Sequence, residues 1–97
     1  MWNAARQRAK VKGLEFSITQ DWVEERLQAG RCEVTGIPFD FTFNRIWSPS
    51  LDRVDNALGY TPENTRMVVF IYNSAKNTGT DADVLQMATA LVAANDN

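Results

Sequence analysis

The spacing of hydrophobic and polar positions changes several times along the chain, and each change predicts an element. Residues 2–12 (WNAARQRAKVK) are mostly Ala, Arg, Gln and Lys, which predicts a helix that Gly13 terminates. In LEFSI (14–18) apolar and polar residues alternate, as in a short extended segment. Thr19 then reads as an N-cap, Asp21 lies in the first turn, and Trp22, Val23, Arg26 and Leu27 mark a second helix that stops at Gly30. The aromatic and turn-rich run CEVTGIPFDFTFNRIWSPS predicts short strands and an irregular loop. SLDRVD (50–55) reads as a brief strand with Leu51 and Arg53 on one side and Asp52 and Val54 on the other. NALGYTPENT is a loop in which Gly59 permits unusual backbone angles and Pro62 fixes one. RMVVF begins as a strand and IYNSAKN turns helical, at a boundary that periodicity does not place. In the last helix Thr80 is the cap, Asp81 and Asp83 suit the N-terminal dipole, and Val84, Leu85, Ala88, Leu91 and Val92 form a stripe expected to be buried.

Composition narrows the class. Ninety-seven residues with 44% hydrophobic and 23% charged positions, three Trp and five Phe suit one domain, 1–97, around a single core. Cys32 is the sole cysteine, which excludes a disulfide framework and a four-cysteine zinc site within the chain and leads us to expect a reducing, cytoplasmic setting. Cys32 itself reads as a small buried apolar residue rather than a reactive thiol. No apolar run approaches the roughly 18 residues that span a bilayer, and the basic MWNAARQRAKVKG is not followed by a hydrophobic segment, so neither export nor membrane insertion is expected. A net charge of −2 argues against gripping duplex DNA by sheer positive charge. The charge is uneven, however. Arg6, Arg8, Lys10 and Lys12 have no acid among them and form either an arm for a phosphate backbone or a solvated helix face.

The candidate chemistry sits in SLDRVD. Two aspartates, Asp52 and Asp55, bracket Arg53 and Val54, in a chain without histidine. Together with CEVTGIPFDF, the run SPSLDRVDNALGYTPENTRMV and YNSAKN, this stretch resembles the HNH endonucleases of the His-Me finger (ββα-metal) superfamily, in particular small phage and bacterial HNH-type proteins. The resemblance covers about residues 10–77. It implies an α+β fold with a ββα-metal finger at about 50–77, flanked by N-terminal and C-terminal helices. It also implies a metal-dependent DNA endonuclease that nicks phosphodiester bonds. On it, Asp52 falls at the metal-binding aspartate, Arg53 at the general-base histidine, Asn64 at the loop asparagine and Asn73 at the helical metal ligand. Asp52 and Asn73 would hold Mg²⁺ or Mn²⁺ through hard oxygens, and Asn64 would brace the loop or orient the base. Arg66 and Lys76 join Arg6, Arg8, Lys10 and Lys12 as expected DNA contacts.

Arg53 departs from the pattern at the central step. A histidine with a pKa near about 6.5 can take a proton from water, whereas arginine, above about 12, stays protonated. It suits clamping a phosphate oxygen instead. Hydrolysis then needs Asp55 as base, a metal-bound hydroxide, or a group from a partner chain. The alternative is a non-cleaving HNH-like protein that binds nucleic acid or inhibits another protein. Many relatives carry two Cys-x-x-Cys pairs. Here Thr35 stands where the second cysteine would be, so no structural zinc is expected, and Phe39, Phe41, Phe43 and Trp47 are expected to stabilise the region by burial instead. The last helix, with Ala88, Ala90, Ala93 and Ala94, permits a homodimer or simply closes the core of a monomer.

Overall fold

The structure, a computed structural model, describes residues 1–42 and 45–96. Four helices and one hairpin follow in the order α1 (Trp2–Lys12), α2 (Gln20–Ala29), β1 (Pro49–Arg53), β2 (Thr65–Val69), α3 (Phe70–Lys76) and α4 (Asp81–Asn95), with a 3₁₀ turn at Arg45–Trp47. The capping chemistry sets the ends of the first helices. Gly13 and Gly30 adopt left-handed backbone angles (φ 67° and 77°) after α1 and α2, and the Thr19 hydroxyl accepts from the Trp22 amide at 3.0 Å.

The two strands pair antiparallel in one register: Ser50 opposite Val68, Leu51 opposite Met67, Asp52 opposite Arg66. The hairpin is the centre of the core. Met67, Val68 and Val69 are fully buried, Leu51 is 7% exposed, and burial of each such side chain contributes on the order of 1.5–3 kcal/mol. β2 runs directly into α3, because the Val69 backbone is still extended (φ −65°, ψ 143°) and serves as the N-cap of the next residue's helix.

α1 docks through Ala5 and Ala9, both fully buried, and through Trp2, whose indole donates to the Ile18 carbonyl at 2.9 Å and packs edge-on against Phe16 at 5.6 Å. The extended LEFSI segment bonds to the loop between the strands: Tyr60 N to Glu15 O at 2.8 Å and Ser17 N to Tyr60 O at 2.9 Å. Gly59 is required there. A Cβ on it would lie 2.0 Å from the Glu15 carbonyl oxygen.

Three expectations are corrected. The 31–48 region forms one isolated bridge, Arg31 to Pro38, and the 3₁₀ turn rather than regular strands. Of its aromatic residues Phe39 is buried, but Phe41 is 63% and Trp47 37% exposed, and Phe43 lies outside the described residues. The aromatic part of the core comes instead from Trp2, Phe16, Trp22, Tyr60 and Tyr72. The stripe on α4 is not buried either. Val84 and Ala88 are half-covered, while Leu85, Leu91 and Val92 are exposed. The helix is anchored by its first turn, where Thr80 and Asp83 form a reciprocal capping box and Asp81 meets Arg66 and Tyr72. Past Ala88, Leu91 and Val92 stay exposed, so that half of α4 does not close the core of this chain.

Candidate functional site

The hairpin register and the α3 helix bring the predicted residues together around Asp52. Its side chain is 1% exposed and both carboxylate oxygens are occupied. Oδ2 accepts from Arg66 at 2.5 and 3.1 Å, and Oδ1 accepts from the Lys76 ammonium at 3.1 Å. Lys76 is buried as completely as its partner and also donates to the Arg53 carbonyl at 2.8 Å. Arg66 continues outward to both oxygens of Asp81 at 2.8 and 2.9 Å, and the Tyr72 hydroxyl donates to that same carboxylate.

This relay sets three ionisation constants. The hydrogen bonds from Arg66, then Tyr72, hold the Asp81 carboxyl down at about 2. Partial burial, then the hydrogen bond to Asp81, pushes the Tyr72 phenol up to about 12. Arg66 is pushed further above its already high value, first by Asp81 and then by Asp52. Lys76, with no exposed side-chain surface, is therefore not the surface DNA contact expected from sequence, and Arg66 is 18% exposed. Both are spent on aspartates.

Asn73 projects from α3 into the same place. Its Nδ2 donates to the Ser50 hydroxyl at 2.7 Å and the Leu51 carbonyl at 3.0 Å. The carbonyl only accepts, which fixes the orientation of the amide. Asn64 braces the loop: its Oδ1 accepts from the Asp55 amide at 2.9 Å, and its Nδ2 donates to the carbonyls of Asp55 at 3.0 Å and Gly59 at 2.8 Å. Asp55 caps that loop through the Ala57 amide at 2.9 Å and borders the surface near Thr78, Gly79 and Thr80, apart from the groove described next.

That groove has a volume of about 400 Å³ and lies between α1 and the hairpin–helix unit. Arg8, Lys12 and Arg53 line it with Ser50, Asn56, Tyr60, Asn73, Ser74 and Asn77. Arg8 and Lys12 share a face because they are four residues apart on a helix. Arg6 and Lys10 fall outside it, and Arg6 lies 5.1 Å over the Trp2 ring. Arg53 uses one nitrogen to hold the Asn56 and Leu58 carbonyls at 2.7 and 3.0 Å, and its guanidinium lies 5.4 Å from the Tyr60 ring centre. Among the described residues Arg8, Lys12 and Arg53 form no salt bridge. Asp52, the one acid lining the groove, is neutralised from behind by Arg66 and Lys76. The groove is therefore a net-positive, hydrogen-bonding surface.

A Mg²⁺-class ion requires near-octahedral oxygen ligands at about 2.0–2.1 Å. The arrangement around Asp52 does not fit one, because both carboxylate oxygens already face cations, Oδ2 the Arg66 guanidinium and Oδ1 the Lys76 ammonium.

The Arg66 contact was accessible from sequence in one respect. Pairing Val54 with Asn64 at the loop closure, seen here as Val54 N to Asn64 O at 2.9 Å, places Asp52 opposite Arg66. Lys76 lies one helical turn after Asn73 and so shares its face. Its basic side chain gave no sign of burial.

Strand, bracing loop, strand and helix with these side chains define an α+β domain built on the ββα finger of the HNH fold. The solved structure of the rare-cutting HNH restriction endonuclease PacI is similar to it. The two align with a TM-score of 0.66 over 94% of this chain and 75% of that one, at 24% identity. No family model matches the sequence, and no curated protein is similar to it. No helix among the described residues is long and apolar enough to cross a membrane.

Proposed function

We propose that this domain binds the phosphodiester backbone of DNA, seating it in the groove between α1 and the ββα finger. The observation that carries this reading is the combination in one groove of three basic side chains without a salt bridge among the described residues, Arg8, Lys12 and Arg53, with the hydroxyls and amides of Ser50, Ser74, Asn56 and Asn73. Phosphate contacts from Arg and Lys position a protein on DNA without reading sequence. In this reading Arg53 has two roles: one nitrogen fastens the loop, and the outer edge of its guanidinium clamps a phosphate oxygen.

A second reading, DNA nicking by an HNH-type endonuclease, is supported by the fold shared with a restriction endonuclease and by the sequence resemblance that assigns Asp52, Asn64 and Asn73 to the finger's functional positions. Its proton acceptor would be a metal-bound hydroxide or a group from a partner chain. Asp55 faces away from the groove, and arginine replaces the base.

One experiment separates the readings. Duplex binding is followed by fluorescence anisotropy across a salt series, beside nicking of supercoiled plasmid with Mg²⁺, Mn²⁺ or EDTA. Binding whose salt slope falls by about 1 for each of Arg8→Ala, Lys12→Ala and Arg53→Ala supports the groove. Metal-dependent nicking that Asp52→Ala and Asn73→Ala both abolish supports the enzyme. Slopes unchanged in all three groove variants would refute the binding reading.

A further inference from the structure

The most unusual feature of the molecule is a lysine with no exposed side-chain surface, pinned between a carboxylate that is itself 1% exposed and a strand carbonyl. Long cationic side chains almost always carry their charge to water, and one that does not is held by partners it cannot easily exchange. Around Asp52 the charges close: Lys76 and Arg66 against Asp52 and Asp81, two positive and two negative. A divalent ion added to that set would leave two uncompensated positive charges beside a buried ammonium. Removing the ammonium, by contrast, would free Oδ1 of Asp52.

We infer that the Lys76 ammonium is the resident cation of Asp52 and excludes a divalent metal ion from it. The finger then holds its central aspartate ion-paired and fixed without metal. Lys76 does not touch the groove's ligand; it positions Asp52 and, through the Arg53 carbonyl, the end of β1. The inference does not need DNA to bind, so its fate is separable from that of the proposed function.

The test uses Mn²⁺ alone as probe, with amide NMR signals broadened by the paramagnetic ion as readout. In the wild type, millimolar Mn²⁺ is expected to leave the amides of Leu51, Asp52 and Asn73 no broader than those of the surface. Lys76→Met is expected to gain selective broadening there, with apparent Mn²⁺ affinity up by about tenfold to a hundredfold, the size of effect that neighbours of a metal ligand exert. Adding Asp52→Asn should abolish that gain. Selective broadening in the wild type overturns the inference, as does a folded Lys76→Met that gains none. If Lys76→Met does not fold, Lys76→Gln serves as the second variant, and the wild-type titration alone still decides whether the seat is closed. A DNA-binding arm run in EDTA shows separately whether the groove works. Failure there removes the proposed function and leaves the metal result standing.

Discussion

Replacing Asp52 by alanine removes the single carboxylate that Lys76 contacts, and its cost follows from the burial of each partner. Arg66 keeps two hydrogen bonds to Asp81 and has 18% side-chain exposure, so its charge remains compensated. Lys76 has no exposure and keeps the Arg53 carbonyl alone. An uncompensated buried charge costs about 3–5 kcal/mol. A domain of this size is stable by about 5–15 kcal/mol in total, so Asp52→Ala is expected to remove about a fifth of it or more. At roughly 4–8 °C per kcal/mol the melting temperature should fall by about 12–40 °C. Lys76→Met should cost less, because Asp52 retains Arg66 at 2.5 Å. The double variant Asp52→Leu/Lys76→Met, apolar and close in volume, should recover part of the loss, since a buried ion pair often exchanges for hydrophobic groups at little cost. Urea and thermal unfolding by circular dichroism, with Asp52→Leu added as the matching single variant, give all four corners of the cycle. If Asp52→Ala melted within about 0.5 kcal/mol of wild type, as an ordinary surface change does, the buried relay as described would be wrong.

Other outcomes follow from separate parts of the molecule. Gly59→Ala places a Cβ 2.0 Å from the Glu15 carbonyl oxygen, so the loop and the LEFSI segment must separate; overpacking of this kind costs about 1–3 kcal/mol, and an unchanged urea midpoint would contradict the close approach. Asp81 titrates in the folded state at about 2 against an ordinary 3.8, so its contribution is complete above the ordinary value and is lost as pH falls toward 2; Asp81→Asn should lack that acid-side loss in a melting series. Tyr72, raised to about 12, contributes stability below its ordinary 10 that disappears as pH climbs through 12, and tyrosinate absorbance should show its titration moving down in Asp81→Asn. Leu91→Lys, on the uncovered face of α4, should change unfolding by less than about 0.5 kcal/mol at low protein concentration; a loss of several kcal/mol would show that the face is covered in solution.

Local signals determined much of the architecture. Thr19, Thr80, Gly13 and Gly30 mark helix ends because a hydroxyl cap and a left-handed glycine act on the backbone within a few residues, with no need of the rest of the fold. The order strand, loop, strand, helix was legible for the same reason, while for Asn64 the family resemblance left two roles open, bracing the loop or orienting the base, and the hydrogen bonds across the loop are those of a brace. The fate of long-range charges was not legible. Arg66 and Lys76 look in sequence like any surface base, and only the hairpin register and the close packing of α3 turn them onto Asp52 and away from solvent. Burial of an apolar stripe likewise depends on a partner surface. Leu85, Leu91 and Val92 have helical spacing but no facing element, because α4 meets the body only at its first turns. Sequence thus determined where the elements begin, end and turn, since those choices are settled over a few residues. The tertiary structure decided which charges are buried and which apolar faces are covered, since those depend on surfaces that meet only after the chain has folded.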